Sequence, residues 1–405
     1  MGVLGLVPTG NIKMRGKIQR PIRIGFFPPG DSSWLGGVNY FGNLLSAIAE
    51  HGGSRYESVV FVGRQAEKEI VSKYARHAKI VRTSVLDPGT AAFWLRAAMK
   101  HLSSFTPVTW LLHRQRVDVV SHVTGYFADM GVPACGWIPD FQHKALPNLF
   151  APEEIRSRDR DYANLGWRGD LVILSSESAL EDALEMEGFR KERTRVLRFP
   201  SPEDVPLLDE ANLAALRERH GLPEHYIHLP NQFWPHKNHL TAFRAMREVV
   251  RAEPSALLVC TGRLDPVANP EYAREIDSYL TAEGLLKNVR LLGVVPYIDM
   301  LGIMQGAIAV LNPSRFEGWS TSVEEARNLC KRLVLSDLPV HREQNVPGSL
   351  FFGQENSQEL AVQLLRCWKG EIQELKPSEF EAGRISRRDF FANYEAIIKE
   401  LLGRG

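Results

Sequence analysis

NPSRFEGWSTSVEEAR, residues 312–327, is the stretch whose reading decides the fold. An apolar run over 307–311 leads into it as a strand, the small polar turn Gly318-Trp319-Ser320-Thr321 follows, and a helical pattern over 322–331 leads out. The result is a strand–turn–helix unit. One carboxylate, Glu317, sits on the turn and a second, Glu325, lies eight positions on in the first turns of the helix. A helix start offers backbone N–H groups without intrahelical partners and the positive end of a dipole, which suits a phosphate. Two carboxylates beside it suit the hydroxyls of a sugar and of a ribose, so the unit describes a pocket for a nucleotide-sugar. A plainer alternative stays open. Ser322 with Glu325, and Thr321 with Glu324, have capping-box spacing, which would make Glu325 a structural cap. Glu317 precedes the helix and follows a buried strand, so capping does not account for it, and it is expected to be exposed in a cleft.

Outward from this unit the chain alternates strands and helices. In the first half, strands are expected at 22–27, 58–62, 80–83, 117–122, 134–138, 171–175 and 194–198. Helices are expected at 38–50, 66–78, 90–102 and 107–116. In the first helix Phe41, Leu44, Leu45 and Ile48 share one face. The segment 28–37, PPGDSSWLGG, is a turn-rich loop, and PSPEDVP at 200–206 is the linker candidate. The second half opens with a helix at 209–220 ending at Gly221. Strands follow at 226–229, 256–261, 289–292, 307–311 and 333–335, with helices at 238–251, 272–283 and 300–305 between them. Such alternation predicts an α/β fold of two Rossmann-like, doubly wound parallel sheets facing across a cleft. Ligands bind at the carboxyl ends of strands in open α/β sheets, where Glu317 and the loop 30–37 both fall.

Composition bounds this picture without sharpening it. A chain of 405 residues exceeds one core's worth, and 44% hydrophobic with 24% charged residues is ordinary for a globular protein. No apolar run approaches the roughly 20 residues of a membrane span. The opening MGVLGLVPTGNIKMRG is too short and polar for a signal peptide, so residues 1–20 are expected to be a loose tail on a cytoplasmic protein. Cys135, Cys260, Cys330 and Cys367 lack CxxC pairing and stand in apolar surroundings, which predicts buried reduced thiols. The net charge of +1 hides an asymmetry: residues 1–130 carry 16 Lys/Arg against 8 Asp/Glu, a balance of +8 that leaves about −7 for the rest. A basic front half suits a phosphate-bearing acceptor or an anionic membrane surface, and equally a merely solvated face. Nucleic acid is not among the expected partners.

Four further constellations carry chemistry. In NQFWPHKNH, 231–239, Asn238 is a candidate N-cap and sets Lys237 at a helix entrance, where its ammonium could meet a pyrophosphate. His236 and His239 have HxxH spacing but no carboxylate in the HExxH pattern, so no metal is expected there. Gly36-Gly37 would let backbone approach a ligand closely, although the full G-x-G-x-x-G fingerprint is absent. WIPDFQHKALP, 137–147, puts Asp140 and His143 just past an apolar run, placed to orient a hydroxyl or assist a proton. Asp159-Arg160-Asp161 is a literal DxD, read here as a charged helix face neutralised by neighbouring arginines. The basic, aromatic stretches 64–82 and 90–105 fit either a membrane-lying helix or an ordinary domain helix.

FEGWSTSVEEA (316–326), NQFWPHKNH and the N-terminal glycine loop together resemble the glycosyltransferase group 1 superfamily, often called family 4, whose members are retaining enzymes with the two-domain GT-B fold. The resemblance runs from residue 22 onward, and WIPDFQHKALP and LSDLPVHREQ (335–344) are similar to one bacterial branch. It implies that Glu317 contacts the transferred sugar's hydroxyls and Glu325 the ribose. The backbone of Gly318, Trp319, Ser320, Thr321 and Ser322 would meet sugar and diphosphate, and Lys237 would neutralise the diphosphate. Gln232 stands where many members carry an arginine, which removes one positive charge. His143 or Asp140 would lie near the sugar's C6, Gly36 and Gly37 would approach the donor, and Leu292, Gly293 and Val294 would line the base. The resemblance also implies an acceptor-binding domain over 21–205, a donor-binding domain over 206–385, and a helix over 386–405 that crosses back. Phe391, Tyr394, Ile397, Ile398 and Leu401 form the apolar stripe of that helix. The implied activity is retaining, metal-independent, hexosyl-type transfer from a nucleoside-diphosphate-sugar, with no cofactor. The implied acceptor is a saccharide or lipid-linked saccharide of bacterial surface polysaccharide or glycolipid synthesis, reached at the inner face of the plasma membrane. An inert sugar-nucleotide-binding scaffold and a sugar-nucleotide epimerase are the rival readings.

Overall fold

The computed structural model describes residues 20–403 apart from 95–106, 125–129, 202–206, 266, 268 and 374. The expected tail, the far part of the 90–102 helix and most of the 200–206 linker lie outside the described residues.

Seven strands build the first sheet: β1 (Ile22–Phe26), β2 (Tyr56–Val62), β3 (Lys79–Arg82), β4 (Val119–Val123), β5 (Ala134–Ile138), β6 (Leu171–Leu174) and β7 (Thr194–Val196). Six build the second: β8 (Ile227–Leu229), β9 (Leu258–Thr261), β10 (Val289–Gly293), β11 (Ala309–Asn312), β12 (Leu333–Ser336) and β13 (Leu350–Phe352). The orders are β3-β2-β1-β4-β5-β6-β7 and β10-β9-β8-β11-β12-β13, and every pairing is parallel. Helices cover both faces of a parallel sheet, so its central strands are apolar throughout, as in the fully buried LVIL of β6 and LVCT of β9. The winding reverses between β1 and β4 in one sheet and between β8 and β11 in the other. A crevice opens at the carboxyl ends of such strand pairs.

The first helix, Leu35–Gly52, turns Val38, Phe41, Leu44, Leu45 and Ile48 into the core at three- and four-residue spacing. It starts earlier than its apolar pattern suggests, so Gly36 and Gly37 belong to its first turn and not to a loop. The last helix, Arg387–Leu401, packs on it and buries Phe390, Phe391, Tyr394, Ile397 and Ile398. Its start is set by Ser386, whose hydroxyl accepts from the Asp389 N–H at 3.0 Å. Glu395 bonds the Tyr56 hydroxyl at 2.9 Å and pairs with Arg55, so a C-terminal helix is locked to the N-terminal sheet. The charged helix face read at 159–161 lies on helix Pro152–Arg168, whereas helices Glu177–Leu184, Pro339–Gln344 and Ser357–Trp368, and strand β13, were not legible as elements. Three cysteines are buried as expected, but Cys330 is exposed at a left-handed turn with φ of 52°. All four are free. Among the described residues no helix is long and apolar enough to cross a membrane.

Phe390 is fully buried and meets Tyr40 edge-on at 6.4 Å. Phe390→Ala is expected to destabilise the chain by about 3–5 kcal/mol, the range for emptying a buried aromatic site. Urea denaturation checks this, and a loss below about 1 kcal/mol would show that the last helix is not held in the N-terminal core.

Candidate functional site

Two loops meet where the second sheet reverses. The loop after β8 carries Asn231 to Lys237, and the loop after β11 carries Pro313 to Ser320. Pro235–Lys237 forms a single tight turn and Asn238 follows it in the left-handed region, φ 57°. Asn238 therefore does not cap the helix His239–Ala252 with its side chain, contrary to expectation. Its amide instead donates to the Gln354 carbonyl at 2.8 Å, and the carbonyl of His236 accepts from the Arg315 N–H at 2.7 Å. These bonds fix Lys237 against the second loop.

Lys237 Nζ lies 2.6 Å from Glu317 Oε1. Glu317 is not exposed as predicted: 9% of its side chain is accessible, and 18% of that of Lys237. The Ser314 hydroxyl lies 2.6 Å from the same Glu317 oxygen and 2.7 Å from Asn312 Oδ1, one proton between two acceptors. Burial pushes the Glu317 carboxyl up, but the Lys237 charge and bond and the Ser314 hydroxyl outweigh it, so its pKa falls below the usual value. The site thus holds a fixed anion beside a fixed cation. Burial, with Lys237 adding to it, pushes His236 down to about 3, and burial does the same to His239. His239 stacks on Phe233 at 3.9 Å, a packing role. Gln232 is exposed and accepts from the Trp234 indole at 3.2 Å.

The helix Thr321–Asn328 starts with Ser320 at its N-cap position, but no side chain caps it. The Ser320 hydroxyl is diverted: it accepts from Asn312 Nδ2 at 2.8 Å and lies 3.2 Å from the Ser322 hydroxyl. Thr321 and Ser322 lie inside the helix and not at its cap, so neither expected capping box forms. The first-turn N–H groups keep their capacity for an anion, since a helix supplies them no internal partner. Glu324 is buried and tied to Gln344 Nε2 at 2.8 Å and to Arg327 at 3.3 Å. Glu325 is also buried and accepts from the Tyr297 hydroxyl at 2.8 Å. Burial pushes its carboxyl up to about 7, with Tyr297 pulling the other way. At the end of β10, Gly293 adopts φ of 69° and Val294 is exposed.

The N-terminal half closes against this loop. A Cβ on Gly318 would overlap the Pro139 carbonyl oxygen and come within 2.8 Å of Asp140 Cβ, so only glycine allows the approach. Trp319 is buried and donates its indole N–H to the Phe199 carbonyl at 2.9 Å, anchoring the turn to the first half. Thr321 is exposed and Ser322 buried. Asp140, raised by burial with Glu317 adding to the rise, accepts from the Gln142 N–H at 3.0 Å. His143 is fully buried beside Phe141, Phe150 and Tyr162, and its Nε2 lies 3.0 Å from Asp159. Asp159 is paired with His143 and Lys144, not with the arginines expected around the DxD. A Cβ on Gly37 would overlap the Trp34 indole, so that glycine accommodates a side chain of this chain rather than opening to a ligand.

The sequence reading missed Asn312, Ser314, Tyr297 and His341. Asn312 and Ser314 stand inside the quoted NPS, where hydrogen-bonding capacity was the available signal. Tyr297 and His341 come from distant elements and left none. His341 is fully buried, donates Nδ1–H to the Ser336 carbonyl at 2.8 Å, and has no partner at Nε2.

Residues 215–380 match the family model described as Glycosyl transferases group 1. A solved glycosyltransferase from Rickettsia africae is 14% identical, with 96% of this chain covering 100% of that one at a TM-score of 0.74. HepE from Anabaena, solved with UDP and glucose, is 16% identical over 94% of this chain and 100% of its own, TM-score 0.71. WaaG, a glycosyltransferase involved in lipopolysaccharide biosynthesis, is 14% identical over 94% and 100%, TM-score 0.62. At such identities the likeness is one of fold, and it spans both sheets. Residues 215–380 thus match the group 1 glycosyl transferase model, and the chain as a whole has the GT-B fold.

Proposed function

We propose that this chain moves a sugar from a nucleoside-diphosphate-sugar to an acceptor hydroxyl, with retention of anomeric configuration and without a divalent metal. The observation that carries the reading is the Lys237–Glu317 pair at the ends of β8 and β11, beside an uncapped helix start and within the matched family segment. A cation and free N–H groups stabilise a leaving diphosphate as its charge develops. Glu317, held ionised, accepts hydroxyls of the transferred sugar, and Glu325 accepts those of the ribose. The donor phosphate, as it departs, takes the proton of an acceptor attacking from the same face. Complexes of HepE with UDP and with UDP-glucose support a UDP-sugar as the first donor to try. The involvement of WaaG in lipopolysaccharide biosynthesis supports a saccharide or lipid-linked acceptor in surface glycan synthesis. The basic balance of residues 1–130 suits an acceptor held at an anionic membrane face. Donor binds the second half and acceptor the first, and closure of the seam at Gly318 and Trp319 excludes water.

A thermal-shift screen with UDP-, GDP-, ADP- and dTDP-sugars identifies the donor, since a ligand of the native state raises its melting temperature. Turnover that requires an acceptor then separates transfer from epimerisation and from inert binding. Glu317→Gln is expected to lower transfer by about 10²–10³-fold, while circular dichroism stays native. Transfer at the wild-type rate would end the assignment. The pH dependence follows from Glu325. Its folded carboxyl titrates near about 7, and only the ionised form presents a charged, unprotonated Oε2 to a ribose hydroxyl. UDP-glucose has no phosphate group titrating near neutrality. Its affinity should therefore be flat above about pH 7 and fall about tenfold per unit below it, while Glu325→Gln removes the dependence. Calorimetry across pH checks this, and a flat wild-type profile contradicts the role of Glu325.

A further inference from the structure

Glu325 enters the site from the helix Thr321–Asn328 and is 9% exposed. Its Oε1 takes the Tyr297 hydroxyl, and among the described residues its Oε2 has no protein partner. Tyr297 comes from another element. It opens the helix Tyr297–Gly306, just past Gly293 and Val294 at the end of β10, and is 40% exposed. The phenol thus reaches a buried carboxylate while much of its ring faces solvent at the carboxyl end of the sheet. Other charges nearby are already committed. Glu324 bonds Gln344 and pairs with Arg327, and Asp299, on the tyrosine's own helix, is held by Arg219 and His220 at 3.1 and 2.9 Å. Among the described residues, burial and Tyr297 are what act on the Glu325 carboxyl.

We propose that Tyr297 is a positioning residue for the donor site: by holding Oε1 of Glu325 it sets the plane of that carboxylate and presents Oε2 to a ribose hydroxyl. The inference rests on the donor-site reading above and names the group that prepares the site. The terminal torsion of a glutamate is broad, so an unheld carboxylate samples many planes. A phenol O–H donating to a carboxylate also favours the ionised form, the form that accepts hydroxyls. Burial and the neighbouring carboxylate hold the Tyr297 phenol well above its usual range, so it remains the donor across neutral pH. The two residues stand 28 positions apart in sequence and act as one unit.

Tyr297→Phe keeps the ring and removes the O–H. The first measurement needs no ligand: carbon-13 NMR of labelled glutamate carboxyls, with the Glu325 signal assigned through Glu325→Gln. Its midpoint is expected to rise from about 7 by about one pH unit in Tyr297→Phe. The second is calorimetry with UDP-glucose, GDP-mannose and ADP-glucose across pH. The variant should bind more weakly at every pH, since the carboxylate plane is no longer held, with a further loss of about fivefold near neutrality that disappears about two units higher. A midpoint that does not move, or a variant that binds as tightly as the wild type at every pH, overturns the inference. A wild-type protein that binds none of the three nucleotide-sugars sinks the donor-site reading and the ribose clause with it. The carboxyl titration alone still decides whether Tyr297 controls Glu325.

Discussion

Lys237 and Glu317, 2.6 Å apart, tie together the ends of two strands that lie side by side in the sheet but 80 residues apart in the chain. Everything proposed for the site depends on that pair being half-sealed from water. Taking two charges out of solvent costs several kcal/mol each, and well-packed apolar residues would often be as stable or more so. Stability therefore does not explain the pair. What it provides is a carboxylate that stays ionised and an ammonium that cannot swing away. Ser314 and Asn312 hold the arrangement from beneath. Asn312 does this by drawing the Ser320 hydroxyl off the helix start, so the N–H groups there are left without a side-chain cap.

The first sheet contributes by contact. Pro139 and Asp140, just past β5, press on Gly318, and Phe199, past β7, holds Trp319. Glu343, from the second half, reaches the start of helix Glu177–Leu184 and accepts from the Glu177 N–H at 3.0 Å while pairing with Arg198 at 2.6 Å. A carboxylate at a helix N-terminus meets the positive end of its dipole. The seam is thus closed by a glycine fit, an indole anchor and a borrowed cap, none of which uses Lys237 or Glu317. The turn that carries Glu317 is consequently fixed from both halves.

The sheets were legible because parallel strands buried on both faces are short apolar runs punctuated by turns. The C-terminal helix was legible from its stripe of Phe391, Tyr394, Ile397 and Ile398. Strand β13 was missed because Leu350–Phe352 is a run of only three residues, and helix Ser357–Trp368 was missed although Leu360, Ala361, Leu364 and Cys367 share one buried face. At the site, Glu317, Glu325 and Lys237 could be named from spacing, but their environment could not. Glu317 read as exposed because burial follows from the Ser314 and Lys237 contacts, which come from two different loops. The capping boxes failed because the helix begins at Thr321, which puts Thr321 and Ser322 inside it, while Glu324 bonds Gln344 and Glu325 bonds Tyr297. Gly36-Gly37 read as a ligand approach, whereas the neighbouring Trp34 indole takes the space at Gly37. Tyr297 left no local signal, since its partner stands on another element.

The most direct test is a structure solved with the nucleotide-sugar that the screen selects. The expected density places the diphosphate at the start of helix Thr321–Asn328, with Lys237 Nζ shared between a phosphate oxygen and Glu317 and the sugar's hydroxyls on Glu317. A nucleotide bound elsewhere, with the Lys237–Glu317 pair closed and untouched, would contradict the account.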